Sequence, residues 1–313
     1  MGRFLYDQFP LAQKRFEEAS DLVGTDFRKL CFEGPDVDLA LTENTQPALL
    51  LVSSVSYEVL QLNTGVNISA GAGHSVGEYS ALVSSGVLRF ADAIKAVRAR
   101  GIAMQGAVPF GEGAMLALLG LDDNQVRELC KWAEDSSGSL PLEAANFNSP
   151  GQVVISGSAK ACQWLTQNLI SENLKAAFPE FPRMKLIPLK VSAPFHCSLM
   201  GPAEEEMRKV LGGVTFSEPK WQVVQNFAAQ IQTDPQMIKE HLIKQITGPV
   251  LWTSCVQRLV RLGCQNFIEF GSGKVLAGLA KKIDSNAITT FNMTSLDEWN
   301  ALEQKIKSSN VIH

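Results

Sequence analysis

Gly73-His74-Ser75-Val76-Gly77 limits the folds open to this chain more than any other segment. It follows an apolar, small-residue run, Val66 to Ala72, and leads into Glu78 to Val83, which reads as a helix. A serine between two glycines at a strand-to-helix junction fits a sharp, strained turn that lifts its hydroxyl off the backbone into an open site. The helix that follows aims its first N–H groups at that hydroxyl, where an oxyanion can be stabilised. The plain alternative is a glycine-rich turn with an incidental serine. The strand before and the helix after decide in favour of a nucleophile at Ser75.

The rest of the chain alternates in the way such a junction requires. Residues 11–30 read as helical, and Thr45-Gln46-Pro47 opens a largely buried helix from Ala48 to Leu60, with proline in its first turn. Ala91 to Met104 is a further helix. From about Phe110 the texture changes. Strands are expected at Ala114–Gly120, Leu142–Phe147, Gln152–Gly157 and Met184–Val191, with helices at Asp122–Ala133 and Lys160–Ile170. This β-α-β-β-α-β order predicts a ferredoxin-like small domain at 110–190, inserted into a large domain formed by 1–109 and 191–313. Helices at 198–211, 235–246, 252–262 and 274–283, with strands near Trp221–Val224 and at 265–270, then imply an α/β fold. Its sheet is mostly parallel and covered on both faces.

Composition narrows the function classes. Hydrophobic residues make up 45% of the 313 and charged residues 19%, which suits a compact enzyme. A net charge of −4 offers no basic face for nucleic acid. No apolar run approaches the ~20 residues of a membrane span, and no secretory leader is evident. The six scattered cysteines form no C-x-x-C pair, so free thiols in a reducing cytoplasm are expected, with no metal.

A serine nucleophile needs a base, and there are four histidines. His313 is terminal, His241 lies within a helix, and His74 adjoins Ser75 in a tight turn that points its ring away. His196 remains, in a loop between a predicted strand and helix, where active-site groups collect. Glu204, Glu205 and Glu206 sit on a polar helix face, so a dyad is expected, with a backbone carbonyl holding the imidazole tautomer. Arg100 stands in an apolar setting, where a guanidinium is costly without a carboxylate. Pairing with Asp92, or simple exposure, are the local alternatives.

These residues resemble the malonyl-CoA:acyl carrier protein transacylase family. The likeness runs through Thr45-Gln46-Pro47-Ala48-Leu49, Gly73 to Leu82, Asn146 to Gly157, Pro194-Phe195-His196 and Gly271 to Leu276, in order, over Met1 to at least Ala280. It implies an α/β-hydrolase-like large domain and a ferredoxin-like small one. It implies malonyl transfer from malonyl-CoA to the phosphopantetheine thiol of acyl carrier protein, with no cofactor of the enzyme's own. Ser75 would carry the malonyl ester and His196 would be the base. Arg100 would grip the malonyl carboxylate, with Asn148 and Phe195 also in the substrate site. Val76 N–H would serve the oxyanion, and the Gln245 carbonyl would orient the histidine. An acidic carrier would dock on basic residues, for which Arg183, Lys185, Lys190, Lys281 and Lys282 are candidates.

One departure carries an expectation of its own. The family's opening strand and Gly-Gln-Gly-Ser-Gln turn, which supplies a second oxyanion N–H, have no counterpart from Met1 onward. Met1 to Tyr6 resembles the segment after that turn. Either the start lies at an internal methionine or the chain is a shortened member. In both cases a version longer by roughly 15–20 residues should be faster and more stable. A hydrolase and a non-catalytic scaffold are the other readings. Arg100 speaks against a plain esterase, and malonyl uptake on Ser75 would exclude a scaffold.

Overall fold

The structure, a computed structural model, describes residues 1–191 and 193–308. Five helices come first: α1 (Arg3–Gln8), α2 (Pro10–Val23), α3 (Phe27–Glu33), α4 (Asp36–Leu39) and α5 (Thr42–Thr64). The helix expected over 11–30 is thus two. Gly24 takes φ 68°, caps α2 with its N–H on Ser20 O, and ends it. Helix α5 is longer than expected and holds Pro47 in its interior rather than its first turn. The proline has no N–H to give Glu43 O, and the Arg98 guanidinium fills that acceptor at 2.9 Å.

Strand β1 (Ala70–Gly71), far shorter than the apolar run before the turn, leads to α6 (Gly77–Ser84) and α7 (Phe90–Gly106). The small unit follows: β2 (Gly113–Leu119), α8 (Asp123–Ser137), β3 (Leu142–Ser149), β4 (Gln152–Ser158), α9 (Ala159–Asn168), α10 (Glu172–Ala177) and β5 (Lys185–Pro188). Its sheet is antiparallel in the order β3-β4-β2-β5, the ferredoxin-like arrangement, over a core that includes Leu118, Leu129, Phe147, Ile155 and Leu165. Asp122 opens α8 with a capping box closed by Gln125.

After a 3₁₀ turn at Ser198–Met200 come α11 (Gly201–Gly212), β6 (Gln222–Gln225), β7 (Gln230–Ile231), α12 (Pro235–Lys244), α13 (Trp252–Arg261), β8 (Asn266–Glu269), α14 (Val275–Ile283), β9 (Thr289–Asn292) and α15 (Leu296–Ser308). The large unit's sheet lies in two pieces, β1-β6-β7 and β8-β9. Pairs β1–β6 and β8–β9 are parallel, and β7 joins β6 antiparallel. A cavity of about 390 Å³ separates the pieces, with Ala70 and Gly71 on one side, Phe267 and Ile268 on the other, and α5, α6, α13 and α14 lining it. Two backbone bonds tie the units together: Phe147 N–H to Val250 O at 2.9 Å and Val250 N–H to Ala145 O at 2.8 Å.

Candidate active site

The turn after β1 is as strained as its sequence suggests, but the strain sits on the serine. Ser75 takes φ 52°, a left-handed conformation costly for any residue with a Cβ. Gly73 is required sterically, since a Cβ there would lie 1.9 Å from Gly77 O. Gly77 meets no such obstacle. The Ser75 N–H donates to Asn226 Oδ1 at 2.8 Å, and Asn226 Nδ2 donates to Gly73 O at 2.8 Å, so one asparagine clamps both sides of the turn.

Ser75 Oγ lies 2.7 Å from His196 Nε2. His196 also holds a positive φ, 60°, and is buried. Its Nδ1 lies 2.8 Å from the backbone oxygen of Gln245. An acceptor there keeps the proton on Nδ1 and leaves the Nε2 lone pair for the serine hydroxyl. Burial, and then the nearby Arg100 charge, lower the His196 pKa from 6.5 to about 3, so the ring is neutral and able to accept a proton. No carboxylate hydrogen-bonds the ring among the described residues. Glu204 is engaged elsewhere, with Lys244, Arg208 and Thr247.

Arg100 is 1% exposed. Its guanidinium donates to Gln46 Oε1 at 2.7 Å, Gln245 Oε1 at 3.0 Å and Ser75 Oγ at 3.1 Å. Asp92 pairs instead with Arg89, at 2.7 Å, which removes the local alternative. Every hydrogen-bond partner of Arg100 among the described residues is neutral, and its Nε has none. A buried cation in this state has room for an anionic partner beside Ser75, and the Glu78 charge reaches it only across Gln245.

The remaining expected residues fall around this centre. Val76 directly follows Ser75 at the start of α6, and no hydrogen bond among the described residues engages its N–H. Phe195 is half-buried and packs against both the large core and the outer face of the small sheet. Asn148 bonds to His74 at 2.8 Å, and the His74 ring also packs on Trp252. His241 is half-buried, 3.1 Å from Gln225 Oε1. His313 lies outside the described residues. Arg183, Lys185, Lys190, Lys281 and Lys282 are exposed, and Lys282 bonds to Gln152. Among the described residues no three His, Cys, Asp or Glu side chains gather to hold a metal, and no helix is long and apolar enough to cross a membrane. The six cysteines are free thiols.

Sequence reasoning passed over Glu78, Asn226 and the side chains of Gln46 and Gln245. The signal for Glu78 was its place in a helix otherwise apolar on most faces, where a charge has to be buried.

The acyl transferase domain family matches residues 1–282. The chain belongs to that family. It is 42% identical over 284 residues to the malonyl CoA-acyl carrier protein transacylase of Bacillus subtilis (strain 168), covering 91% of this chain and 86% of the relative. It is 40% identical over 294 residues to the protein of that name from Escherichia coli (strain K12), covering 94% and 90%. Among solved structures, the acyl-carrier-protein S-malonyltransferase of Burkholderia pseudomallei 1710b superposes with a TM-score of 0.88 at 40% identity, covering 97% of this chain and 95% of that one. A malonyl-transacylase in complex with its type II polyketide synthase acyl-carrier protein also superposes at 0.88, with 38% identity and coverage of 97% and 94%. The two-unit α/β acyltransferase architecture expected of the chain is the one it has.

Proposed function

We propose that this acyltransferase moves a malonyl group from malonyl-CoA to the phosphopantetheine thiol of an acyl carrier protein through a malonyl ester on Ser75. The observation that carries this reading is Arg100, buried 3.1 Å from Ser75 Oγ with no carboxylate among its hydrogen-bond partners. The free carboxylate of a malonyl group supplies that anion, and its planar oxygens suit a guanidinium.

In the first half-reaction Ser75 Oγ bonds the thioester carbonyl carbon while its proton passes to His196 Nε2. The tetrahedral oxyanion faces the Val76 N–H. Collapse breaks the carbon–sulfur bond, and the CoA sulfur takes the proton from His196. In the second, the carrier's thiol gives its proton to His196 and attacks the ester, and Ser75 Oγ recovers that proton as it leaves. The Gln245 carbonyl holds the Nδ1 edge of the ring through both halves. The chemistry draws on no bound cofactor; the phosphopantetheine arrives with the partner.

On this reading Phe195 and Asn148 border the acyl and pantetheine path, and the acidic carrier docks on some of Arg183, Lys185, Lys190, Lys281 and Lys282. We place the catalytic unit at 1–109 and 191–313 and the small unit at 110–190. Free thiols throughout suit the cytoplasm. The test is intact mass after incubation with malonyl-CoA or acetyl-CoA, with and without holo carrier protein. The expected result is a malonyl adduct that Ser75→Ala abolishes and that carrier protein discharges onto itself. Loss of the adduct to water at the same rate without carrier would make the protein a hydrolase.

A further inference from the structure

Glu78 is an acidic residue at the centre of this site with no part in the chemistry above. Burial raises its pKa, and the donors around it and the Arg100 charge oppose that. It lies three residues after Ser75, in the first turn of α6, and is fully buried. Its Oε1 accepts from Gln225 Nε2 at 3.1 Å. Its Oε2 accepts from Asn226 N–H at 2.9 Å and from Gln245 Nε2 at 2.8 Å. All three partners donate, as a carboxylate requires.

Each functional group stands one residue beyond these partners. Asn226 Oδ1 receives the Ser75 N–H. The Gln245 backbone oxygen receives His196 Nδ1, and its side-chain Oε1 receives Arg100. The Gln245 amide decides the last contact. Its Nε2 donates to Glu78 at 2.8 Å and to Ser75 O at 3.1 Å while its Oε1 accepts from Arg100, so the amide has one orientation and joins the carboxylate to the guanidinium. Turned the other way, the amide would set its NH₂ against a guanidinium and its oxygen against a carboxylate.

We propose that Glu78 is the positioning residue that fixes Ser75, His196 and Arg100 relative to one another, acting through Gln245 and Asn226. The proposal rests on the reading of those three residues given above. It explains why a carboxylate is buried where it touches no reacting atom. A neutral isostere would keep the packing but turn an NH₂ toward at least one of the three donors, loosening the hold on Gln245 or Asn226.

The test is Glu78→Gln, studied as purified full-length protein alongside the parent, Ser75→Ala, Gln245→Ala and Glu78→Gln/Gln245→Ala. Adduct formation with excess malonyl-CoA counts the active sites, so that rates are expressed per site. The expected result for Glu78→Gln is a kcat per active site lower by about 10- to 100-fold. Its preference for malonyl over acetyl loading should fall by about tenfold. In the Gln245→Ala background the same change should cost little, because the residue acts through a partner already removed. A merely structural glutamate would lower the number of active sites and leave rate per site, acyl preference and additivity unchanged, and that outcome overturns the proposal. Should Glu78→Gln fail to fold, Glu78→Asp, which keeps the charge and shortens the reach, carries the same cycle to the same decision. Ser75→Ala separates the two levels: an adduct surviving there refutes the nucleophile, while its loss with a neutral Glu78→Gln refutes only the positioning role.

Discussion

Arg100 holds a full charge in a buried setting and donates only to neutral oxygens. Truncating one member of a buried charged pair typically costs ~2–5 kcal/mol, much of it from the charge left behind. Arg100→Ala should therefore raise the KM for malonyl-CoA and lower kcat/KM by a corresponding factor, while acetyl transfer falls far less. Competition between the two thioesters measures this directly, and equal losses would make Arg100 a structural residue. The same charge helps depress His196 to a pKa of about 3. Between about 3 and the ordinary 6.5 the unfolded chain binds a proton here that the folded chain does not. Stability is therefore lost as pH falls through that window and is unaffected by this group above it. Urea midpoints at neutral pH and at about pH 5 should separate more for the parent than for His196→Gln. For the same reason the acid limb of kcat/KM should lie well below the usual histidine range.

Helix α7 can bring Arg100 to Ser75 only because Gly101 lets α5 lie against it. A Cβ at Gly101 would fall 2.6 Å from Glu43 Cα and 2.7 Å from Thr42 O, both backbone atoms that cannot swing aside. Gly101→Ala should cost roughly 1–3 kcal/mol through forced separation, outweighing the ~1 kcal/mol of helix propensity gained. It should also raise the malonyl KM, because Gln46 on α5 moves off Arg100. A lower Tm with an unchanged KM would show that the helix spacing matters for the core alone. Elements of this kind divide the legible from the hidden. The meeting of Ser75 with His196 and the strands of the small unit follow from local pattern: a glycine-flanked serine, a histidine in a loop, alternation broken by Ser149-Pro150-Gly151. The polar layer beneath them does not. Gln225, Asn226 and Gln245 each look like ordinary surface amides in sequence, and only the tertiary fold shows that they converge on Glu78. The weak strands β7 and β9 and the break at Gly24 escaped for a related reason. A two-residue strand, a four-residue one and a single left-handed glycine leave almost no periodicity.

At the scale of the molecule, the cavity between β1 and β8 is where two parallel edges face each other beneath helices on both sides. Apolar strands in such a layer are ordinarily buried, yet Ala70, Phe267 and Ile268 are only half-covered. Gly2 packs on Val52, whose neighbour Ser53 lines the same cavity. A version of the chain with an added extended apolar segment, long enough to lie in this slot, should melt at a higher temperature. If the segment ends in a turn that brings a second N–H to the oxyanion, transfer should quicken by as much as ~10²–10³. Melting curves and malonyl-transfer rates of the two versions decide it, and matched values would mean that the slot contributes nothing. The paired bonds between Val250 and the backbone of Ala145 and Phe147 bear on a different matter, motion. They lie between Gln245, which holds the base, and α13, so the small unit is stitched to the large one beside the reacting groups. Spreading the two units would first break that stitch. The stitch therefore couples the spacing of the two units to the segment that carries Gln245.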